Sequence, residues 1–182
     1  MVALTTPKVK KGWKVEDFDL LSVDGNHYNL TKVKGKSGLV VAFICNHCPY
    51  VKSVAGKIAK EAEELRKLGV GFVAINSNDT IAYPEDSYER MQIFAQQNNF
   101  QFPYLLDKTQ EVVKKYDAVC TPDFFGFNSN LKLQYRGRLD SAKMDIVPDA
   151  KRELFIAMSE IAKTGEFKGE QIPSIGCSIK WK

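Results

Sequence analysis

An α/β fold with a mixed central sheet follows from three features of the sequence. The apolar run Leu39 to Ile44 gives way at Val51 to an apolar period of three and four, so a buried strand leads into an amphipathic helix. A second apolar run, Val70 to Ile75, follows at once. Strand, helix, strand in that order closes a right-handed crossover between parallel strands. Finally, the segments around Asn128-Ser129-Asn130 read as an antiparallel hairpin, with one more amphipathic helix after it. Parallel and antiparallel pairings in one chain, with helices between them, define the class.

Along the chain, Phe18 to Val23 and His27 to Leu30 flank the turn signal Asp24-Gly25-Asn26, which places a β-hairpin ahead of the core. Lys32 to Ser37 reads as a polar loop into the central strand. In the helix after Pro49, Val51, Val54, Ile58, Leu65 and Leu68 share one face with Ala62, and Lys60/Glu64 and Glu63/Lys67 are spaced for surface pairs. Gly69 stops it. Asn76-Ser77-Asn78-Asp79 ends the next strand at the sheet edge that also carries Cys45, although a plain polar turn is the commoner use of these residues. After the loop Tyr83-Pro84-Glu85-Asp86, Ser87 to Gln97 reads as a helix with Met91, Phe94 and Ala95 inward, forming a flank or lid. Phe102 to Asp107 is a short apolar segment, and Thr109 to Tyr116 a short helix with Val112, Val113 and Tyr116 inward. A strand opens after Pro122 and returns over Leu131 to Tyr135. Asp149 to Lys163 is the closing helix, with Leu154, Phe155, Met158, Ile161 and Ala162 apolar and Gly165 as its stop. The expected organisation is one domain over residues 1–182, with a core of about 15–165 and a tail, 166–182, packed over it as irregular chain.

Of the 182 residues 44% are apolar, enough for an ordinary core. The net charge of +4 is spread along the chain without a basic block, so a nucleic-acid partner is not expected. Met1 to Lys14 has no apolar leader region, and no later run approaches the roughly 20 residues needed to span a bilayer. The expectation is a cytoplasmic protein without a membrane partner. Four cysteines, Cys45, Cys48, Cys120 and Cys177, are too few and too unevenly placed for a disulfide-stapled scaffold of this length, which favours reactive use.

The chemistry points to Cys45-Asn46-His47-Cys48-Pro49, at the strand-to-helix corner. Proline is favoured as the first helical residue, which makes Cys48 the N-cap. Free helix N–H groups and the positive end of the helix dipole stabilise a thiolate there and lower the thiol pKa. Cys45 is near enough to close a small disulfide ring. A Cys-x-x-Cys between strand and helix is a redox motif with a mechanism. Two other readings compete. The cysteines can be small buried apolar residues, for which an N-cap is a poor hiding place. Alternatively, Cys45, His47 and Cys48 can ligate zinc or copper, but no second Cys-x-x-Cys or paired histidines complete the set. His47 either raises the thiolate fraction or caps locally.

The Cys-Asn-His-Cys-Pro motif after an apolar strand, with Thr121-Pro122 opening a later one, resembles the thioredoxin superfamily. Length and N-terminal hairpin look more like its alkyl hydroperoxide reductase/thiol-specific antioxidant, peroxiredoxin-like branch. Cys-Thr-Pro-Asp-Phe-Phe and Ile-Gly-Cys-Ser-Ile-Lys-Trp are similar to a bacterial and archaeal group within it, over roughly residues 15 to 182. The resemblance implies a thioredoxin-like fold with a cis proline at Pro122, so that Thr121 and Pro122 form a substrate platform beside the cysteines and Cys120 lies close by. Two departures stand out. Thioredoxins place proline inside the cysteine pair, whereas here Pro49 follows it, so Cys48 rather than Cys45 holds the position of the attacking cysteine and Val51 that of the second. Peroxiredoxins carry Pro-x-x-x-Thr-x-x-Cys; the matching positions are Val41 and Cys45 before Cys48, and Gly38 and Ala42 before Cys45.

The implied activity is thiol-disulfide oxidoreduction without an organic cofactor: Cys48 attacks a protein or small-molecule disulfide, Cys45 resolves it, and a thiol reductase system recycles the pair. The alternatives are a thiol peroxidase of antioxidant type, with Cys120 or Cys177 as a further resolving thiol, and a metal-binding or delivery module using Cys45, Cys48 and His47. Arg138, just past the last hairpin, is an auxiliary candidate near the site, although a solvated strand-end arginine is commoner.

Overall fold

The computed structural model describes residues 3–8, 10–145 and 147–182. Its centre is β4 (Gly38–Phe43), buried at every position. Because side chains alternate along a strand, β4 feeds two cores. Val40 and Ala42 pack under α2 (Pro49–Lys67), α3 (Tyr88–Gln97) and α5 (Glu153–Thr164), while Leu39, Val41 and Phe43 pack under α1 (Leu30–Val33) and α4 (Glu111–Lys115). Helices on both faces explain why the strand reads as an unbroken apolar run.

Seven strands form the main sheet in the order β3-β2-β6-β5-β4-β8-β9. β4 runs parallel to β5 (Val70–Asn76), and β5 to β6 (Tyr104–Leu106). The hairpin β8 (Asp123–Asn128) and β9 (Leu133–Gly137) adds antiparallel to β4, and the N-terminal hairpin β2 (Asp19–Ser22) and β3 (His27–Asn29) adds to β6. The fold is therefore mixed α/β and thioredoxin-like, with the hairpin extension expected. Among the described residues, no helix is long and apolar enough to cross a membrane.

Several expectations need correction. Leu30 leaves the hairpin, and the polar loop after it begins with a helical turn, because the Asn29 side chain accepts a hydrogen bond from the Lys32 N–H and caps α1. Leu68 lies past the last turn of α2 and is exposed rather than inward. Helix α3 is no lid: it is the crossover between the parallel strands β5 and β6, with Met91, Phe94 and Ala95 buried as expected. Helix α5 starts at Glu153 rather than Asp149. Ser141 ties the preceding residues down, its N–H donating to the Lys151 carbonyl and its hydroxyl accepting from the Lys151 N–H. Arg152 reaches from there to Glu61 and Glu64 on α2. Gly165 ends α5 in the left-handed region, at φ 82°.

The largest correction concerns the tail. Residues 166–182 are not irregular throughout: Ile175–Ser178 forms β10 in a second sheet, ordered β1-β10-β7, with β1 at Ala3–Thr5 and β7 at Cys120–Thr121. In this sheet Cys177 lies opposite Thr121.

Candidate active site

The corner after β4 is built by Pro49, which starts α2 and leaves Cys48 as an extended N-cap at φ −65°, ψ 122°. The Cys48 Sγ lies 2.8 Å from the Cys177 Sγ and 3.3 Å from the Thr121 carbonyl oxygen. Cys45 Sγ lies 3.3 Å from the Thr121 hydroxyl. The Thr121–Pro122 bond is cis, and Thr121 touches both thiols of the motif, Cys45 through its hydroxyl and Cys48 through its carbonyl. All four cysteines are free and buried. An N-cap is therefore no obstacle to hiding a thiol here, since β10 covers the head of α2.

The thiols are electrostatically unequal. The Cys45 hydrogen bond holds Cys48 down at about 5 against the opposing effect of burial, with further help from the Cys177 thiol and from the backbone N–H groups of Val51 and Cys177. The helix terminus argued from sequence thus contributes, but less than the neighbouring thiol. Cys45 itself is pushed up, first by its bond to Cys48, then by burial and by the negative charge of Asp86. Burial, followed by its own bond to Cys48, pushes Cys177 up to about 12. Burial and the charge of Asp123 also push Cys120 up. Cys120 sits in β7 one residue before Thr121, and no hydrogen bond joins it to another thiol among the described residues.

Beneath the corner is a buried carboxylate that sequence reasoning passed over as loop. Asp86 Oδ1 accepts from the Asn46 N–H at 2.8 Å and the His47 N–H at 3.3 Å; its Oδ2 takes His47 Nδ1 at 2.6 Å and Asn78 Nδ2 at 2.8 Å. Burial alone would raise its pKa, but these donors, His47 foremost, hold it below the usual carboxylate range. In return, Asp86 raises the pKa of His47. His47 is therefore engaged with Asp86 rather than hydrogen-bonded to a thiol, and its ring stacks on Tyr83 at 5.6 Å. The asparagines after β5 serve the same hub: Asn76 donates to the Asp86 carbonyl, and Asn78 binds both Asp86 and the Lys180 N–H.

Those bonds also explain how the tail is held. On one side of β10, the Asp79 N–H and Gln110 Nε2 both donate to the Lys180 carbonyl. On the other, Ser174 binds Thr6 and Gly137. Gly176 must be glycine, because a Cβ there would overlap the Thr121 carbonyl. The signal was present as an alternation of Ile175, Cys177 and Ile179 with Gly176, Ser178 and Lys180, a strand pattern read as tail.

Among the described residues, the metal-ligating side chains that gather within 4.8 Å are Cys45, His47 and Asp86, so Asp86 replaces Cys48 in the set expected from sequence. In that set, both Asp86 oxygens and His47 Nδ1 are already engaged with one another or with amides. Arg138 is half-buried, and its guanidinium grips Glu153 through two bonds, of 2.5 and 3.0 Å. It lines a cavity of about 330 Å³ with Tyr50, Val54, Pro122, Leu139 and Ile175. This cavity adjoins the corner through Tyr50 and Pro122, each close in sequence to a residue at the thiols.

Fold and corner together define a thioredoxin-like protein with a clustered set of thiols. The AhpC/TSA family model matches residues 12–136, and the chain belongs to that family. Among solved structures it is similar to an uncharacterized conserved protein from Geobacillus kaustophilus, at 44% identity over 100% of this chain and 97% of that one, with a TM-score of 0.93. A hypothetical protein from Sinorhizobium meliloti is 37% identical over 98% of both chains, at a TM-score of 0.92. A peroxidoxin from Mycobacterium tuberculosis shares the fold at 17% identity over 85% of this chain and 96% of its own, with a TM-score of 0.61. No curated protein matches the sequence.

Proposed function

We propose that this protein is a thiol-disulfide oxidoreductase in which Cys48 is the attacking thiolate and Cys45 its partner in the Cys-x-x-Cys pair. The observation that carries this is the position of Cys48: it is the N-cap residue of α2, and its sulfur lies against the Cys177 sulfur and Thr121. Such a sulfur is ionised at neutral pH, and a thiolate is the form that attacks a disulfide. Attack gives a mixed disulfide between Cys48 and half of the substrate, with the other half leaving as a thiol. A second protein thiol then attacks Cys48, releases the remaining half and closes an internal disulfide. Thr121 and Pro122 orient the incoming sulfur, and a dithiol reductant or thiol reductase returns the pair to thiols.

The test is to mix the reduced full-length protein with oxidised glutathione and follow thiol release. The wild type releases two thiols per chain and Cys48→Ser releases none above background. Unchanged release from Cys48→Ser would overturn the assignment. Hydrogen peroxide is a second oxidant for the same thiols, favoured by their burial, because it is far smaller than a disulfide substrate. Its step makes a sulfenic acid on Cys48 and releases water, and condensation with a second thiol releases another. Peroxide consumption by the wild type but not by Cys48→Ser supports that reading, and equal consumption by both removes it.

A further inference from the structure

We propose that Cys177, on the C-terminal strand, is the thiol that resolves Cys48, so that the oxidised protein carries a Cys48–Cys177 disulfide tying β10 to the head of α2. This rests on Cys48 as the attacking thiolate and adds a residue that lies outside the Cys-x-x-Cys motif.

The geometry is specific. Cys177 is 129 positions from Cys48 in sequence, yet their sulfurs are 2.8 Å apart, with Cys177 as one of the hydrogen-bond partners of Cys48. The placement is held from every side: β1 and β7 flank β10, Gly176 rides on the Thr121 carbonyl, and Asn78, Asp79 and Gln110 bind the backbone of Lys180. Cys45 also faces Cys48, but it keeps its proton more firmly: its bond to Cys48, burial and the buried Asp86 carboxylate all oppose its ionisation, and its sulfur contacts the Thr121 hydroxyl. Burial and Cys48 hold the proton on Cys177, whereas the nearby charge of Lys180 favours its thiolate. Once Cys48 is bonded to substrate sulfur, its negative charge is gone, and with it one of the causes that hold the Cys177 proton in place.

The reaction balances as follows. The Cys48 thiolate attacks a small disulfide, R–S–S–R, forming Cys48–S–S–R and expelling one thiolate, which takes up a proton. Cys177 loses its proton and attacks the Cys48 sulfur; the Cys48–S–R bond breaks and the second R–S⁻ leaves to be protonated. Two protein thiols are oxidised to one disulfide, and one substrate disulfide is reduced to two thiols.

The experiment uses the reduced full-length protein and oxidised glutathione, with acid quenching, alkylation and peptide mapping. In Cys45→Ser, two glutathione molecules are released per chain and a peptide joining Cys48 to Cys177 appears. In Cys177→Ser, the glutathione adduct on Cys48 persists longer than in Cys45→Ser, because the thiol whose sulfur lies against Cys48 is missing. In the wild type, Cys48–Cys177 is formed ahead of Cys45–Cys48. If Cys45→Ser instead stops at one glutathione bound, with Cys177 alkylated, the proposal is overturned while Cys48 as nucleophile stands. Release from Cys48→Ser at the wild-type rate overturns both.

Discussion

The ionisation of Cys48 is the sharpest quantitative consequence of this site. With a pKa of about 5, nearly all of it is thiolate at pH 7, whereas an ordinary thiol at about 8.5 is only about 3% ionised, a gain of roughly 30-fold. Nucleophilicity falls with pKa with a slope of about 0.4–0.5, so a drop of about 3.5 units costs a factor of about 25–55. The two effects nearly cancel, and Cys48 should not attack faster at pH 7 than an exposed cysteine does. Its signature is the pH profile, flat above about pH 6, where an ordinary thiol gains about tenfold per unit. The largest cause of the low value is the Cys45 hydrogen bond. A bond to a charged group is worth about 1.5–3 kcal/mol, and a thiol is a weak donor, so removing it should raise the Cys48 pKa by about one unit. Cys45→Ala should show that rise, and Cys45→Ser, which keeps a donor, should largely restore the original midpoint. Ultraviolet absorbance of the thiolate, taken as the difference from the matching variant that also lacks Cys48, reads the titration without a reagent having to enter a buried site. A midpoint near 8.5 in the wild type, or one that Cys45→Ala leaves in place, would refute the reasoning.

Asp86→Asn should destabilise the protein by about 2–4 kcal/mol, or about 5–15 °C in Tm, because an amide has one acceptor oxygen: turned either way, its NH2 faces the Asn46 and His47 N–H groups or His47 Nδ1 and Asn78 Nδ2, and Asn78 cannot turn without losing Lys180. The lowered Asp86 pKa makes its contribution complete above about pH 4 and lost as pH falls further; the raised His47 pKa makes that contribution complete below about pH 6.5 and lost as pH rises through the folded value. The deficit of Asp86→Asn, measured by urea unfolding of the reduced protein, should therefore be greatest between about pH 4 and 6.5, and a flat deficit would contradict the pairing. Gly176→Ala should displace β10 from Thr121 and expose Cys48, so that native-state alkylation at neutral pH speeds up about tenfold or more while α2 and β4 keep their hydrogen-exchange protection. If alkylation is unchanged, β10 is not what covers the sulfur.

The sequence by itself determined the elements whose cause is local. Leu39 to Ile44 is apolar throughout because both faces of β4 are covered, the spacing from Val51 to Leu65 fits one face of α2, and Pro49 sets where that helix begins. These fix the Cys45–Cys48 corner, since a strand end and a helix start are written within a few residues. Tertiary structure alone decided which groups surround those sulfurs. Asp86 is an acidic residue in a polar loop until Asn46, His47 and Asn78 aim four donors at it, and no local period marks such convergence. Cys177 belongs to a stretch whose strand alternation is visible but whose partners, Ala3 to Thr5 and Cys120 to Thr121, are far away in the chain. Local propensity reports the backbone conformation of a segment; strand pairing and buried hydrogen bonds depend on what the rest of the chain brings to it, and here they carry a third thiol to Cys48.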